Sequence, residues 1–243
     1  MKIKIIIPIN NSDFNDEIAQ AVEPVLTPDM TVDVENISEG ARSIESRYDS
    51  EINAPYVIAQ AVKAERDGFD GIFVSDMDYC GVETAREVID IPIVGGFRPS
   101  AYTAMMLAQR FSIITIVNSV VAMQRKHIRK FGISPNFASI RSVHLPVLSL
   151  HDKQVALEKI YAESVKAIDE DGANAIIFGC TGFLNVADAV AQRLAEVGRG
   201  VPVVDPNRVA ISFLELLIRN KLSQSRLTYY KQNYIMSGSI GIV

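Results

Sequence analysis

Asp67-Gly-Phe-Asp-Gly-Ile-Phe-Val-Ser-Asp76 aligns without a gap to Asp171-Gly-Ala-Asn-Ala-Ile-Ile-Phe-Gly-Cys180. Each block opens on an Asp-Gly turn and runs into a short β-branched and aromatic stretch, the pattern of a parallel strand buried on both faces. After each block the spacing predicts a helix and then a second short strand, Ile91-Pro92-Ile93-Val94 in one case and Val201-Pro202-Val203-Val204 in the other. Upstream, Ile5–Ser12 resembles Ile113–Ser119, and both end in Asn-Ser. Three matches in the same order mark an internal repeat and hence two similar units.

Working outward from the repeat, strand-like and helix-like segments alternate. Strands are expected at Lys2–Ile9, Gly71–Val74, Ile91–Val94, Ser112–Val117, Ala175–Phe178 and Val201–Val204. Helices are expected at Phe14–Val22, Val57–Asp67, Val82–Val88, Ser100–Arg110, Val120–Phe131, Lys153–Glu170, Leu184–Val197 and Arg208–Lys221. Such alternation implies α/β architecture. The expected fold is two pseudo-symmetric lobes, each a mostly parallel sheet flanked by helices, with the active site in the cleft between them. The first lobe is expected over 1–100, completed by a C-terminal helix within 207–243, and the second over 101–206.

The 243 residues are 48% hydrophobic and 22% charged, with a formal net charge of −5. That composition supplies a packed core and excludes a disordered polyelectrolyte. No run of Lys and Arg interleaves with aromatics, so nucleic acid is not an expected partner. Lys2–Ile9 is too short for a secretory leader, and no stretch approaches the ~20 apolar residues that span a bilayer, so a cytoplasmic protein without a membrane partner is expected. Two cysteines, Cys80 and Cys180, make no disulfide framework, and no CxxC or His-x-x-x-His pair suggests a metal site. Nucleotide loops and Gly-x-Ser-x-Gly are absent from the sequence.

In parallel α/β sheets ligands bind at the carboxyl ends of strands. Cys180 stands at such an end, before Thr181-Gly182 and an expected helix start, whose free N–H groups favour a thiolate. The bland alternative is a small buried hydrophobe. The repeat puts Asp76 at the equivalent place in the first lobe. The two side chains would then flank one cleft, the geometry for removing a proton from one face of a carbon and delivering one to the other. Asp76 reads equally as a cap on the N–H groups that follow it. Cys80, also near a helix start, is either a displaced second thiol or a packing residue. Asn10, Asn11, Ser75, Asn118, Thr181 and Gly182, all near strand ends, are candidates for holding substrate oxygens. Arg98 is either a fork for a substrate carboxylate or a surface arginine. His127, in Arg125-Lys126-His127-Ile128-Arg129-Lys130, reads as part of a solvated helix face, and His144 and His151 as loop residues.

These segments together resemble the aspartate/glutamate/hydantoin racemase superfamily, and within it the hydantoin and allantoin racemase branch. The likeness rests on Ile7-Pro-Ile-Asn10-Asn11-Ser12, Ser43-Ile44-Glu45-Ser-Arg-Tyr48-Asp49, Gly81-Val-Glu-Thr-Ala-Arg86-Glu87 with Ile91-Pro-Ile-Val-Gly95, Gly179-Cys180-Thr-Gly182, and Ser223-Gln-Ser-Arg-Leu-Thr-Tyr229. The resemblance implies a homo-oligomeric, cofactor-independent racemase or epimerase, without metal or pyridoxal phosphate, that uses one cysteine per lobe as acid and base. It places the first-lobe cysteine at Asp76, and Cys80 where the branch has a proline-like position. It implies a small hydantoin-, ureide- or amino-acid-like substrate, with Cys180 and Asp76 exchanging the α-proton and Cys80 in reserve. The superfamily also holds a one-cysteine decarboxylase and a cis–trans isomerase of an unsaturated diacid, so a lyase or isomerase of small acids is the alternative. A non-catalytic small-molecule-binding relative is a third.

Overall fold

The computed structural model describes residues 1–231; the part of the expected C-terminal segment beyond 231 lies outside them. The first sheet contains β1 (Lys2–Ile7), β2 (Thr31–Asn36), β3 (Gly71–Val74) and β4 (Ile93–Gly95), in the order β2-β1-β3-β4. The second contains β5 (Phe111–Thr115), β6 (Phe137–Ser142), β7 (Ala175–Phe178) and β8 (Val203–Val204), in the order β6-β5-β7-β8. Every pairing is parallel. The protein therefore has the two-lobe α/β fold that the alternation implied, and the lobes share one strand order.

The register carries the repeat into three dimensions. Ile5 faces Phe73 across β1 and β3, and Ile113 faces Ile177 across β5 and β7. Apart from the exposed Lys2 that opens β1, the central strands are buried throughout, as their continuous apolar runs require. The edge strands β2 and β6 were not expected. Thr-Val-Asp-Val-Glu-Asn in β2 alternates apolar and polar residues, the mark of a half-exposed strand. Lys4, buried in β1, reaches across to Asp33 at 2.6 Å and to Glu35, which ties this polar edge to the sheet.

The helices are α1 (Asn15–Val22), α2 (Arg47–Arg66), α3 (Val82–Ala85), α4 (Phe97–Leu107), α5 (Asn118–Lys130), α6 (Lys153–Asp169), α7 (Ala187–Glu196) and α8 (Pro206–Arg219). Two boundaries depart from expectation because of proline. Pro55 lies inside α2, which starts ten residues before Val57 on the Ser46 cap, whose oxygen accepts the Asp49 N–H. Pro99 sits in the first turn of α4, where a missing N–H costs nothing, so that helix begins at Phe97 rather than Ser100. Helix α4 packs on β4 of the first sheet and on β5, β7 and β8 of the second. Helix α8 packs on β3, β4, α1 and α4. One continuous apolar core runs through both sheets, and the carboxyl ends of β3 and β7 meet across the junction.

Candidate active site

Strand β3 ends at Val74 and runs into Ser75, Asp76, Met77, Asp78, Tyr79, Cys80 and Gly81. The loop turns sharply, with positive φ at Tyr79 (66°) and Gly81 (69°). Glycine is required at 81, because a Cβ there would come within 3.0 Å of the Ala54 carbonyl oxygen and 3.1 Å of Val57. The turn brings the Cys80 N–H back onto the Asp76 carboxylate at 2.8 Å. In the second lobe the Gly182 N–H donates to the Cys180 sulfur at 3.3 Å. Each lobe thus holds its reactive side chain at a strand end by a backbone N–H from the loop that follows.

Asp76 and Cys180 line one cavity of about 60 Å³. Ser75 joins them from the first lobe, and Thr181, Gly182 and Val147 from the second. Ile7, Ile9, Phe14, Ile18 and Ile44 supply an apolar wall. Among the described residues no Lys, Arg or His lines the cavity. Roughly 10–15 Å³ of such space holds one water, so the cavity has room for about four to six water-sized groups, the scale of a small molecule and not of a polymer.

Burial drives both groups toward their neutral forms. The Asp76 carboxyl is raised by desolvation, opposed by N–H groups of Cys80, Asp78, Met77 and Tyr79. The Cys180 thiol is pushed up to about 12, chiefly by desolvation; the Gly182 N–H pulls it down and the charge of Asp76 pushes it up. The thiolate expected from a helix start beside Cys180 is therefore a correction. Helix α7 begins only at Ala187, and its end is too distant to outweigh desolvation.

Among the other sequence candidates, Ser75, Thr181 and Gly182 belong to the cavity and the rest do not. Cys80, 1% exposed, turns away and donates its S–H to the Ser50 carbonyl at 3.2 Å, and burial raises its thiol as well. It is a packing residue of the α2 side. Asn10 and Asn118 are exposed. Asn11 is buried, and its side-chain Oδ1 accepts the Asp13 N–H at 3.0 Å. Arg98 lies on another cavity altogether, beside Tyr102 and Phe131. The solvated face expected for His127 is also corrected: it is buried against Phe97 and stacked on Phe131, with Nε2 at 3.2 Å from the Asp78 carbonyl, and burial lowers it to about 4.

Three features of the site were invisible beforehand. Asn207, in the first turn of α8 and 1% exposed, donates to the Thr181 carbonyl at 2.9 Å and accepts the Ser75 hydroxyl at 3.1 Å. The Thr181 hydroxyl in turn donates to the Ser75 carbonyl at 2.9 Å. This ring of bonds fastens the two strand ends to each other. At the mouth, Glu45 accepts the Val147 N–H at 2.8 Å, Phe14 stacks on His151 at 5.4 Å, and Glu17 pairs with Lys153 at 3.0 Å. These are lobe-to-lobe contacts, of which the exposed ion pair contributes at most about 1 kcal/mol. Among the described residues no cluster of three or more His, Cys, Asp or Glu side chains is arranged to hold a metal ion.

Comparison with known proteins bears on the family and the fold. The family model described as Asp/Glu/Hydantoin racemase matches residues 3–214. A hydantoin racemase from Pseudomonas sp. (strain NS671) is 32% identical over 232 residues, covering 95% of this chain and 91% of that protein. An allantoin racemase from Klebsiella pneumoniae superposes with a TM-score of 0.92 at 27% identity, covering 100% of this chain and 98% of that one. Arylmalonate decarboxylase shares the fold, with a TM-score of 0.61 at 15% identity over 90% of this chain and 92% of that one. With its two parallel sheets, its strand-end site and a match across most of its length, the chain belongs to the Asp/Glu/hydantoin racemase family.

Proposed function

We propose that the protein racemises or epimerises a small hydantoin- or ureide-like substrate, with Asp76 and Cys180 as the two acid–base groups. The observation that carries this reading is that equivalent strand ends of the two lobes present a carboxyl and a thiol to one cavity. In the resting ionisation the thiol holds its proton, since its pKa is pushed up to about 12. The ionised Asp76 takes the α-proton from one face, charge spreads onto the adjacent carbonyl oxygen, and Cys180 delivers its proton to the other face. The product leaves Asp76 protonated and Cys180 as thiolate, the arrangement that accepts the opposite enantiomer. Backbone N–H groups of the strand-end loops are the donors available to the developing oxyanion.

The polar lining favours a neutral ring over an amino acid. Among the described residues no cationic side chain lines the cavity to pair with a substrate carboxylate, and an ionised Asp76 repels one. The Ser75 and Thr181 hydroxyls spend their protons on Asn207 and on the Ser75 carbonyl, so toward the cavity they offer only lone pairs. Lone pairs suit the N–H groups of a hydantoin or ureide.

The test is turnover of a chiral 5-substituted hydantoin in deuterated water. Each acid–base group is monoprotic, so at low conversion deuterium enters the inverted product from Cys180 or Asp76 while recovered substrate stays unlabelled. Equal labelling of substrate and product would point to one base serving both faces, and no labelling of any hydantoin, ureide or amino acid would refute the reading. Protonation from one face alone, as a decarboxylase requires, leaves Asp76 without a part; release of carbon dioxide from small malonates without racemisation would favour it. Cys80→Ala is expected to leave kcat/KM within about twofold and to cost roughly 1 kcal/mol of stability from the lost packing, as read by steady-state kinetics and thermal unfolding.

A further inference from the structure

A cavity of about 300 Å³, several times larger than the one at Cys180, lies between β4, α4, α8 and the segment 223–229. The reaction proposed above makes no use of it. Two guanidinium groups open onto it, and among the described residues neither forms an ion pair with a carboxylate. Arg86 is 8% exposed; its Nε and Nη2 share the Ile93 carbonyl, and Nη1 donates to the Tyr229 hydroxyl at 3.0 Å. Arg98 donates to the Tyr102 hydroxyl through Nε and Nη2, at 3.3 and 3.1 Å, and lies 4.8 Å from the Phe131 ring centroid. A guanidinium carries five N–H donors, so each keeps some unspent.

Tyr79 adds a second, independent sign. It is 8% exposed, it lines this cavity, and its buried hydroxyl has no hydrogen-bond partner among the described residues. The Arg98 N–H, in the first turn of α4, approaches that hydroxyl without the geometry of a bond. Helix α4 is eleven residues long and has no side-chain cap, so its first turn adds positive potential beside the two guanidinium groups. Glu83, whose charge reaches Tyr79, is held by Lys130 and does not line the cavity. The rest of the wall is largely apolar, with Ile93, Val94, Phe213 and Leu217. A buried hydroxyl left unpaired beside cationic donors is an arrangement that an anion completes.

We propose that this cavity is a second binding site, for a small organic acid. Its carboxylate or phosphate head sits between Arg86 and Arg98 within reach of the Tyr79 hydroxyl, and its apolar body lies against Ile93, Phe213 and Leu217. The site adjoins the loop that carries Asp76 without sharing its cavity, and it stands independently of the reaction assigned above.

Isothermal titration of the intact protein with benzoate, phenyl phosphate, inorganic phosphate and benzamide tests it. Benzoate or phenyl phosphate, or both, should bind, the tighter of the two identifying the head group. Benzamide and inorganic phosphate should each be weaker by about tenfold or more, since each lacks one half of the ligand. Arg98→Gln should weaken binding by about tenfold. Tyr79→Phe should weaken it several-fold while raising the Tm of the ligand-free protein, because it removes an unpaired buried group. Cys180→Ala should leave it unchanged, which separates this site from the catalytic cavity. No binding by either organic anion, benzamide or inorganic phosphate binding as tightly, an unchanged affinity in Arg98→Gln, or loss of binding in Cys180→Ala would each overturn the proposal.

Discussion

Asp76→Asn is expected to lower kcat/KM for α-proton exchange by about 10²–10⁴-fold, the range that a positioned general base contributes. The substitution is nearly isosteric, and the amide oxygen can still accept the Cys80 N–H now held at 2.8 Å, so the loop after β3 keeps its shape. Folding stability should hold or rise, because burial already disfavours the charged carboxyl. Cys180→Ala should cost a similar factor, and the double variant little more than either single one, since the two groups act on one proton transfer. The pH profile separates the roles. The base must be ionised, and desolvation raises its pKa, so wild-type activity should fall as pH is lowered through a range above that of an ordinary carboxylate. The thiol, pushed up to about 12, remains a proton donor through neutral and mildly alkaline pH, so the profile should be flat there. In Asp76→Asn the acid limb should vanish from whatever activity remains. Loss of optical rotation followed across pH measures all of this, and wild-type rates in Asp76→Asn would remove Asp76 from the mechanism.

How much of this was legible beforehand follows from what each residue depends on. The repeated block became β3 and β7 residue for residue, because a strand buried on both faces writes itself as an uninterrupted apolar run. The pairing of Asp76 with Cys180 followed, since equivalent strand ends of two like lobes face one cleft. Ser75, Thr181 and Gly182 came with them as immediate neighbours. Cys80 and Arg98 did not, and for a shared reason. Two positive φ angles turn Cys80 back toward α2, and the early start of α4 at Phe97 carries Arg98 to the opposite side of the loop. Those are matters of direction, and spacing along the chain does not report them. The polar edge strands were missed because their residues are mostly only partly buried and so leave no continuous apolar run, and His127 because five charged or polar neighbours mask a helix face that packs between the lobes.

Asn207 lies further still from anything a sequence displays, yet its replacement should have the second largest effect. Asn207→Leu keeps the volume and removes both bonds, leaving the Ser75 hydroxyl without its acceptor and the Thr181 carbonyl without that donor, each of them buried. At about 1–3 kcal/mol for each of the two stranded groups, the loss is roughly 2–6 kcal/mol. For a chain of this size, at about 2–4 °C per kcal/mol, that corresponds to a Tm lower by roughly 4–24 °C. The Asp205 cap of α8 is untouched, because it binds the Asn207 and Arg208 N–H groups rather than the Asn207 side chain. The functional consequence is distinct from instability. Asn207 is the bridge that sets the β3 end against the β7 end, and a shift of about 1 Å between reacting groups costs on the order of 10²-fold in rate. At a temperature where the variant is fully folded, kcat at saturating substrate should therefore still fall by about 10–100-fold. Adding Ser75→Ala removes one of the stranded groups, so it should restore part of the Tm without restoring kcat. A Tm loss with kcat intact would mean that the bridge only stabilises the fold, and that the Asp76–Cys180 geometry is held by the packing of α4 between the two sheets.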